Sequence, residues 1–313
     1  MRNWDYASER IVKCIGGENL GVQTQTIVKD AASIVEPQNN CIMFASAEKW
    51  KKSYLEKLYA IENAVMIIET AIREDFVRLA QKNHVIVATN ARLYFAKALL
   101  MIVKDKRKVR KYKTMEGNII VGENVILGKD NILEPFTFLD HDVRLGDYVT
   151  IKTGAKIREN TWIGDNVIVG ENTVIGVQGF GIEKDEDGTN VRIPHIGGVR
   201  IGSGTEIGAL TSIAAGTINP TVVENNCFID DLNHIAHNCV IGEGSLTTGC
   251  VEISGSAVLG RDSYISPNAV IRNGISLGDG CFVGQGSSVQ KSFGDYCSLV
   301  GNPAREFVHK NKG

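Results

Sequence analysis

The sequence has little of what marks nucleic-acid-binding, membrane-spanning or exported chains. Its 34 basic and 36 acidic residues leave a net charge of −2, which supplies no general attraction for nucleic acid or for an anionic membrane. No stretch approaches the roughly 18 uninterrupted apolar residues that a transmembrane helix needs. The first residues, MRNWDYASERIVKC, contain no apolar segment of the kind found in signal peptides. We therefore expect no membrane span and no nucleic-acid partner.

Cysteine is present but lacks the spacing of a zinc site or a disulfide framework. The seven cysteines are odd in number and include no CxxC pair. Cys239, Cys250 and Cys281 lie inside the repeat described next, where we expect small buried thiols. Free thiols and the lack of a leader are typical of a reducing compartment, so the sequence predicts a cytoplasmic protein.

Proline and aromatic residues are scarce, whereas glycine is abundant. The chain has 6 prolines, 7% aromatic residues and 33 glycines. Aliphatic residues recur at every sixth position over three segments, 121–175, 201–213 and 223–289, and Thr247 is the one member that is not aliphatic. Because about half of an average chain is apolar, ten consecutive matches in the first segment are rarer by chance than about one in a thousand.

A period of six matches neither an α-helix nor a simple alternating strand. It fits a triangular coil in which six residues form one short strand and one corner, so that about 18 residues complete a turn. The aliphatic residue is expected to point inward and to stack into apolar columns. The residue after it is often glycine, and we expect these glycines to supply the positive φ of the corners. They are Gly122, Gly128, Gly146, Gly164, Gly170, Gly176, Gly202, Gly208, Gly242, Gly260, Gly278 and Gly284.

Two interruptions break the period. The first interruption, between Ile175 and Ile201, contains GFGIEKDEDGTNVRIPHIGG, and the second, between Ile213 and Val223, contains AAGTINPTV. Loops that leave a regular scaffold often carry function, so we expect the first interruption to border a site. A tolerated insertion is the alternative.

The residues outside the repeat predict two further regions. Residues 1–112 indicate a small α/β domain with strands at CIMFA, AVMIIE and VIVAT and helices at EKWKKSYLEKLYAIE, TAIREDFVRLAQKN and ARLYFAKALLMIV. The basic run at 104–113 is expected to be a solvated linker to the repeat domain, residues 113–291. A tail, residues 292–313, is expected to leave the repeat after Val289.

The only clustered histidines lie in DLNHIAHNCVIG. Because Ile235 points inward, we expect His234 to face outward and His237 to occupy a corner. One coil of 18 residues leads from His234 to Glu252, which would orient it, and from His237 to Gly255, whose N–H would lie beside the imidazole.

These positions suit acyl transfer to an amine. Such a reaction uses a base that takes the amine proton, an effect of about 10²–10⁴, and an N–H donor to the tetrahedral oxyanion. One alternative is a pair of structural surface histidines. Another is a zinc hydratase, but three suitable metal ligands are not visible in the sequence. The other histidines, His84, His141, His195 and His309, are isolated and receive no predicted role.

Two family resemblances extend this interpretation. The period of six resembles the hexapeptide-repeat family, which implies a left-handed parallel β-helix and a homotrimer. More specifically, GFGIEKDEDGTNVRIPHIGG followed by DLNHIAHNCVIGEGSLTTGCVEISGS resembles the UDP-3-O-acylglucosamine N-acyltransferases of lipid A synthesis. CIMFASAEKWKKSYL and ARLYFAKAL are similar to the uridine-binding domain of that family.

The resemblance implies roles for particular residues. It implies that His237 is the general base and that Gly255 donates the oxyanion N–H. The substrate contacts that we expect from the matching motifs are Gly179, Phe180, Gly181, Asn233 and Asn238 near the reacting groups, with Phe44 and Trp50 stacking on the nucleotide base.

The sequence also departs from that family. The stretch VIRNGISLGDG lacks a second histidine, residues 214–216 are Ala-Ala-Gly in place of Asp-Arg-Gly, and Ala47 replaces an asparagine. A C-terminal helical extension is not seen. Instead the chain carries Gly301-Asn302-Pro303-Ala304-Arg305, similar to the ending of hexapeptide enzymes that use coenzyme A, which implies that these residues lie along that co-substrate.

These departures favour an N-acyltransferase for a nucleotide-linked amino-dideoxy sugar of surface glycans, with a short-chain acyl-CoA donor. The N-acyltransferases of the anthrose pathway are of this type. We expect no tightly bound cofactor and no metal. The alternatives are the lipid A N-acyltransferase itself, with an acyl carrier protein as donor, and a non-catalytic β-helix scaffold.

Overall fold

The computed structural model describes residues 4–21, 26–106 and 109–306. The chain forms two compact units. The N-terminal unit comprises Met1–Lys108 together with Phe180–Pro194, and the prism unit comprises Val109–Gly179 and His195–Gly313. Within the described ranges, no helix combines the length and the apolar composition that crossing a bilayer requires.

The N-terminal unit is built around a five-stranded sheet. Its strands lie in the order Glu18–Asn19, His84–Ala88, Val65–Glu69, Cys41–Ala45 and Asp30–Ala31, and only the first of these runs antiparallel to its neighbour. Tyr6–Ala7 and Ile27–Val28 form a separate antiparallel pair. The α-helices are α1 (Ser8–Ile15), α2 (Leu55–Leu58), α3 (Arg73–Phe76) and α4 (Ala91–Asp105).

The three predicted strands and the last predicted helix are confirmed, but two predicted helices are wrong in length. Residues 48–62 and 70–83 form only α2, α3 and the 3₁₀ turns Ala47–Lys49, Lys52–Tyr54, Thr70–Ile72 and Leu79–Gln81. Trp50 and Lys51 adopt extended backbone angles, which interrupts the first of these helices. The extended step lets the Trp50 ring pack 4.8 Å from Phe76, so burial overrides helix propensity there.

The first interruption forms a β-hairpin, Ile182–Lys184 with Asn190–Arg192, that packs against α4 within the N-terminal unit. Arg92 Nη1 bonds Glu183 Oε1 at 2.5 Å and Lys97 Nζ bonds Asp185 Oδ1 at 2.8 Å. The Lys97 ammonium lowers the pKa of the Asp185 carboxyl through this hydrogen bond. The interruption is therefore an ordered element and not a loose insertion.

The prism unit is a triangular parallel β-helix with three faces. Face 1 consists of Lys113–Met115, Ile119–Val121, Phe138–Leu139, Lys156–Ile157, Val174–Val177, Ser212–Ala214, His234–Ile235, Glu252–Ile253, Val270–Ile271 and Ser288–Val289. Face 2 consists of Ile126–Leu127, Arg144–Leu145, Thr161–Ile163, Val199–Ile201, Thr221–Val223, Val240–Ile241, Val258–Leu259 and Ser276–Leu277. Face 3 consists of Ile132–Leu133, Thr150–Ile151, Ile168–Val169, Glu206–Ile207, Phe228–Ile229, Leu246–Thr247, Tyr264–Ile265, Phe282–Val283, Ser298–Val300 and Arg305–Glu306.

The coils stack with a register of 18 residues wherever the period is unbroken. Ile235 lies over Ile253, for example, and Ile253 over Ile271. The inward columns are buried from Leu139 to Leu299, and Thr247 is buried with them. The predicted inward direction of the aliphatic residues is confirmed, and the stacking of their side chains supplies the core of this unit.

The prediction for the corner glycines holds only for Gly176 (φ 90°) and is wrong for the other eleven. Positive φ occurs three residues after the inward residue, where asparagine and aspartate are frequent, as in Asn238 (φ 62°) after Ile235 and Asp142 (φ 60°) after Leu139. The glycine directly after the inward residue is needed for close approach instead. A Cβ on Gly128 would stand 2.3 Å from the carbonyl oxygen of Gly146 one coil away.

Corner side chains also join successive coils. Between faces 2 and 3, Asp147 Oδ1 accepts the N–H of Lys129 at 2.8 Å, and Asp165 Oδ1 accepts the N–H of Asp147 at 2.8 Å. The same bond recurs from Arg261 N to Asp279 Oδ1 at 2.8 Å. These bonds occupy backbone donors that the tight corners leave outside the strand ladders.

The expected domain boundary after Val289 falls short of the end of the prism. Ser298–Val300 pairs in parallel with Phe282–Val283, and Leu299 is buried in the core. The chain then reverses, and Arg305–Glu306 pairs antiparallel with Ser298–Val300. One more strand therefore follows after a spacing of 16 residues, which a strict period of six does not predict.

The cysteines follow the same inside–outside rule as the coil. Cys239 and Cys281 are buried as expected, but Cys250 is exposed. Cys250 occupies the positive-φ corner position (φ 61°), whose side chain points outward.

The basic run 104–113 lies partly outside the described residues, at 107–108. Lys104 and Asp105 belong to α4, and Lys113 begins face 1.

Candidate active site

His237 lies at the corner between faces 1 and 2, and His234 lies three residues earlier on the outer surface of face 1. Ile235 is fully buried between them, so the inward residue separates the two histidines as the sequence predicts. His234 is exposed, whereas the imidazole of His237 is half-buried.

A hydrogen bond determines which nitrogen of His237 carries the proton. The imidazole Nδ1 lies 3.0 Å from Asn238 Oδ1. The same oxygen accepts the backbone N–H of Thr217 at 3.3 Å and the Thr217 hydroxyl at 2.8 Å. Because a backbone N–H can only donate, the Asn238 atom must be the carbonyl oxygen and His237 must donate from Nδ1. The lone pair of the neutral ring is therefore on Nε2, which is the arrangement of a general base.

Gly255, one coil further along, lies directly against that nitrogen. A Cβ on Gly255 would stand 2.7 Å from His237 Cε1 and 2.8 Å from Nε2, so only glycine fits without moving the ring. Across residues 4–21, 26–106 and 109–306, no acceptor pairs with the Gly255 N–H. The corner thus offers a base and a backbone donor within a few ångströms of each other. Such a donor can stabilise a developing oxyanion.

A second imidazole, which the sequence analysis left without a role, packs on the first. His195 follows the hairpin of the first interruption, is 3% exposed, and has its ring centroid 4.8 Å from that of His237. Gln178 holds its backbone at both polar atoms: the amide nitrogen donates to His195 O at 2.9 Å, and the amide oxygen accepts His195 N–H at 3.0 Å. The available signal was the position of PHIGG at the return to the coil, but spacing alone does not place it beside His237.

The expected pairing of His234 with Glu252 is only partly seen. The two residues are in register on adjacent strands of face 1. Glu252 Oε1 accepts a hydrogen bond from Ser254 Oγ at 3.4 Å, and no bond between His234 and Glu252 occurs among the described residues. Within the part of the chain that the structure describes, Glu252 therefore has no hydrogen bond that would orient either histidine.

The two expected substrate asparagines serve the corner itself. Asn238 orients His237, as described above. Asn233 is buried, and its Nδ2 donates to three backbone carbonyls, those of Asp230, Asp231 and Thr248, at 2.8–3.2 Å. The amide nitrogen of Asn233 is thus bound to the corner backbone, and its expected contact with substrate stays a prediction.

The residues of the Gly179-Phe180-Gly181 motif have separate environments. A Cβ on Gly179 would stand 2.6 Å from the His195 ring and 2.9 Å from His237 Cβ, so this glycine makes room for both histidines. Phe180 is 80% exposed, with the Arg192 guanidinium 5.7 Å from its ring. The carbonyl of Gly181 accepts Ile193 N–H at 2.9 Å at the base of the hairpin.

The two expected nucleotide-stacking aromatics lie in the N-terminal unit and pack within it. The Phe44 ring is 4.8 Å from Phe95 of α4 and remains half-buried. The Trp50 indole N–H donates to Asp75 Oδ2 at 2.8 Å while its ring packs on Phe76. One edge of each ring is thus occupied by the protein.

The Gly301–Ala304 segment forms the tight turn at the end of the prism. Gly301 N–H bonds Ser287 Oγ at 3.1 Å, and Ala304 N–H bonds Ser288 O at 2.7 Å. Gly301, Asn302, Pro303 and Arg305 are exposed. Ser288 lies on face 1 three strands beyond His234, which places the turn about 14 Å along the axis from the His237 coil. In the described part of the chain, no three histidine, cysteine or acidic side chains converge as metal ligands.

Known proteins resemble this chain in sequence over nearly its whole length. Residues 142–176 and 256–291 match the family described as Bacterial transferase hexapeptide (six repeats). A UDP-3-O-acylglucosamine N-acyltransferase of Methylobacillus flagellatus is 31% identical over 95% of this chain and 87% of its own length. One from Coxiella burnetii is 28% identical over 96% of this chain and 90% of its own length.

Solved structures share the fold. A UDP-N-acetylglucosamine acyltransferase of Campylobacter jejuni is 26% identical, with a TM-score of 0.56 over 62% of this chain and 74% of that one. The corresponding protein of Moraxella catarrhalis is 22% identical, with a TM-score of 0.57 over the same shares. The predicted left-handed parallel β-helix is thereby confirmed.

Proposed function

Because the chain belongs to the family of UDP-3-O-acylglucosamine N-acyltransferases, we propose that this acyltransferase moves an acyl group from a thioester to the amine of a UDP-linked amino sugar. The observation that carries the proposal is His237, held at Nδ1 by Asn238 with the lone pair of the neutral ring on Nε2, against the N–H of Gly255, which has no acceptor among residues 4–21, 26–106 and 109–306.

The chemistry follows from those two groups. The amine nitrogen attacks the thioester carbonyl while His237 Nε2 takes its proton. The carbonyl oxygen becomes an oxyanion and accepts the Gly255 N–H. The intermediate collapses as the C–S bond breaks, and the departing thiolate takes the proton from the imidazolium. The products are an amide and a free thiol, and the base is restored.

The first candidate substrates are those of the lipid A N-acyltransferases: UDP-3-O-acylglucosamine as acceptor and an acyl carrier protein thioester as donor. The names of the relatives state this acceptor, and they support it better than the nucleotide-linked amino-dideoxy sugar that the sequence favoured. The carrier protein donor is part of our proposal. We propose that Phe44 and Trp50 flank the uracil, since both are half-buried aromatic rings with one edge committed to the protein.

A second candidate keeps the same chemistry with an acyl-CoA donor and another nucleotide-linked amino sugar. Two observations favour it. Ala214 and Ala215 are buried where the family has Asp-Arg, which removes two charged side chains beside the corner. The exposed residues Gly301, Asn302 and Pro303 offer backbone groups at the end of the same prism.

We further propose a homotrimer in the cytoplasm. On face 3, the outward residues Phe228, Leu246, Tyr264 and Phe282 form a row of partly exposed apolar side chains on successive coils, with Tyr264 and Phe282 stacked at 5.8 Å. A continuous apolar row of this kind is typical of a subunit interface. All seven cysteines are free thiols, which suits a reducing compartment.

A donor-by-acceptor assay tests the proposal. The purified protein is incubated with acyl carrier protein or coenzyme A thioesters of several chain lengths and with UDP-3-O-acylglucosamine or other nucleotide-linked amino sugars, and products are measured by mass spectrometry. Amide formation on UDP-3-O-acylglucosamine with the carrier protein donor is the expected result. Turnover with acyl-CoA on another sugar supports the second candidate, and no amide product from any combination overturns both.

A further inference from the structure

His195 is a buried histidine that the chemistry described above does not use. It is 3% exposed, so a group of ordinary size in solution does not reach its ring. Its centroid lies 4.8 Å from the His237 ring, with the two planes inclined at 54°. A polar, titratable side chain placed in this way beside a general base invites a functional explanation.

The backbone around His195 is held on both sides. Gln178 bonds the two backbone polar atoms of His195, which fastens the end of the first interruption to its beginning. The next residue, Ile196, donates its N–H to Thr217 O at 3.0 Å in the second interruption. Thr217 in turn donates to Asn238, which holds His237 Nδ1. Both interruptions of the coil therefore converge on the same imidazole.

Gly179 makes this convergence possible. The position that a Cβ would take on Gly179 is 2.6 Å from His195 Cδ2 and Nε2 and 2.9 Å from His237 Cβ. Any side chain there would force one of the two histidines away. The absence of a side chain at Gly179 therefore allows the rings of His195 and His237 to contact each other.

Resting on the proposed function, we infer that His195 is a positioning residue that sets the orientation of the His237 ring. The hydrogen bond at Nδ1 restrains one edge of the imidazole. The His195 ring at 4.8 Å and the Gly255 backbone limit the remaining tilt of the ring, so that Nε2 keeps its direction beside the Gly255 N–H. Misplacing a catalytic group by about 1 Å costs about 10²-fold in rate.

A double-mutant cycle tests this inference. His195→Ala, His237→Ala and the double variant are compared for kcat and KM with the most active substrate pair. We expect His195→Ala to lower kcat by about 10²-fold with little change in KM. Because the effect acts through His237, adding His195→Ala to His237→Ala should lower the rate no further.

A matched control and a readout without turnover complete the test. His141→Ala removes another buried imidazole of the prism unit and should leave kcat unchanged. In selectively ¹⁵N-histidine-labelled protein, the Nδ1–H signal of His237 should be sharp and protected in the wild type and broadened in His195→Ala.

The outcomes separate this inference from the proposed function. Additive losses in the cycle, or an unchanged kcat and an unchanged His237 signal in His195→Ala, overturn the positioning role. Should His237→Ala itself keep full activity, the proposed function fails instead. Where His195→Ala proves unstable, Gly179→Ala, which inserts a methyl group between the two rings, is expected to give the same loss of kcat.

Discussion

Two turns of the same corner carry a histidine, and they are built in opposite ways. His141 occupies the corner between faces 1 and 2 four coils before His237, about 19 Å along the axis. Each is followed by a residue with positive φ, Asp142 at 60° and Asn238 at 62°. The two corners therefore share this backbone feature, and they differ in their hydrogen bonds.

At His237 the ring nitrogen Nδ1 donates, whereas at His141 it accepts. The Nδ1 of His141 takes the backbone N–H of Glu123 at 2.7 Å, so the proton of the neutral ring is on Nε2. Asp142 turns away to Arg110 at 2.7 Å, while Asn238 turns toward His237. The Tyr112 ring centroid lies 4.6 Å from that of His141, and His141 is only 4% exposed.

A corner histidine can act as a base only when its neighbours leave the outward nitrogen unprotonated and reachable, and the hydrogen bonds meet the first condition at His237 and not at His141. The lone pair of His141 is on Nδ1 and accepts the backbone N–H of Glu123, so it is not available to take a proton. The position in the coil is necessary for the chemistry but does not determine it.

The largest expected effect comes from removing each imidazole. His237→Ala should lower kcat by about 10²–10⁴ with the fold intact, because the base is lost. His141→Ala should keep kcat unchanged but lower the free energy of unfolding by about 1–3 kcal/mol, because the Glu123 N–H loses its acceptor. Steady-state kinetics and urea unfolding measure the two effects. A loss of activity in His141→Ala without a loss of stability would contradict the structural role that we assign to His141.

The next effect concerns the glycines beside the two rings. Gly255→Ala should lower kcat by about 10²-fold, because its Cβ would stand 2.7 Å from His237 Cε1 and move the ring. Gly122→Ala, whose Cβ would stand 2.7 Å from His141 Nδ1, should lower the melting temperature and leave kcat unchanged in the folded protein. The control is Gly249→Ala, whose nearest neighbour is 3.6 Å away.

A smaller effect is expected from the residue that sets the tautomer. Asn238→Gly keeps the positive φ without strain but removes the acceptor, and kcat should fall by about 10–10²-fold. Asn238→Asp retains an oxygen for His237 Nδ1–H and for Thr217, so it should keep most of the activity. Equal losses in both variants would show that the hydrogen bond at Nδ1 does not control the base.

The smallest effect concerns the inward residue two positions after each histidine, Val143 in one corner and Cys239 in the other. Burial raises the pKa of the Cys239 thiol to about 12, so at pH 8 it carries almost no thiolate. Cys239→Val should therefore leave kcat unchanged. Mass spectrometry after iodoacetamide treatment at pH 8 should find Cys14 and Cys250 modified, since both are exposed, and Cys239 unmodified. Modification of Cys239 in the folded protein would contradict its assignment to the core.

Much of the prism follows from the sequence because the coil is local and periodic. Each inward residue is determined by its distance of six from the last, so the direction of Ile235, and with it the corner position of His237, is predictable. The strand at Ser298–Val300 is not predictable from the period, because its spacing of 16 breaks the period while its inward Leu299 is retained. The role of the glycines is ambiguous in the sequence, because positive φ and close approach select the same residue type.

The triangular coil, the family and the closeness of His237 to Gly255 can be predicted from the sequence alone, since all three depend on residues a fixed number of positions apart. Three contacts are seen only in the folded chain: the packing of His195 on His237, the bonds of Thr217 and Asn238 that set the His237 tautomer, and the bonds of Asn233 Nδ2 to backbone carbonyls. The physical reason is that these contacts join segments whose separation follows no period. Their hydrogen-bond directions depend on atoms brought together only when both interruptions have returned to the coil.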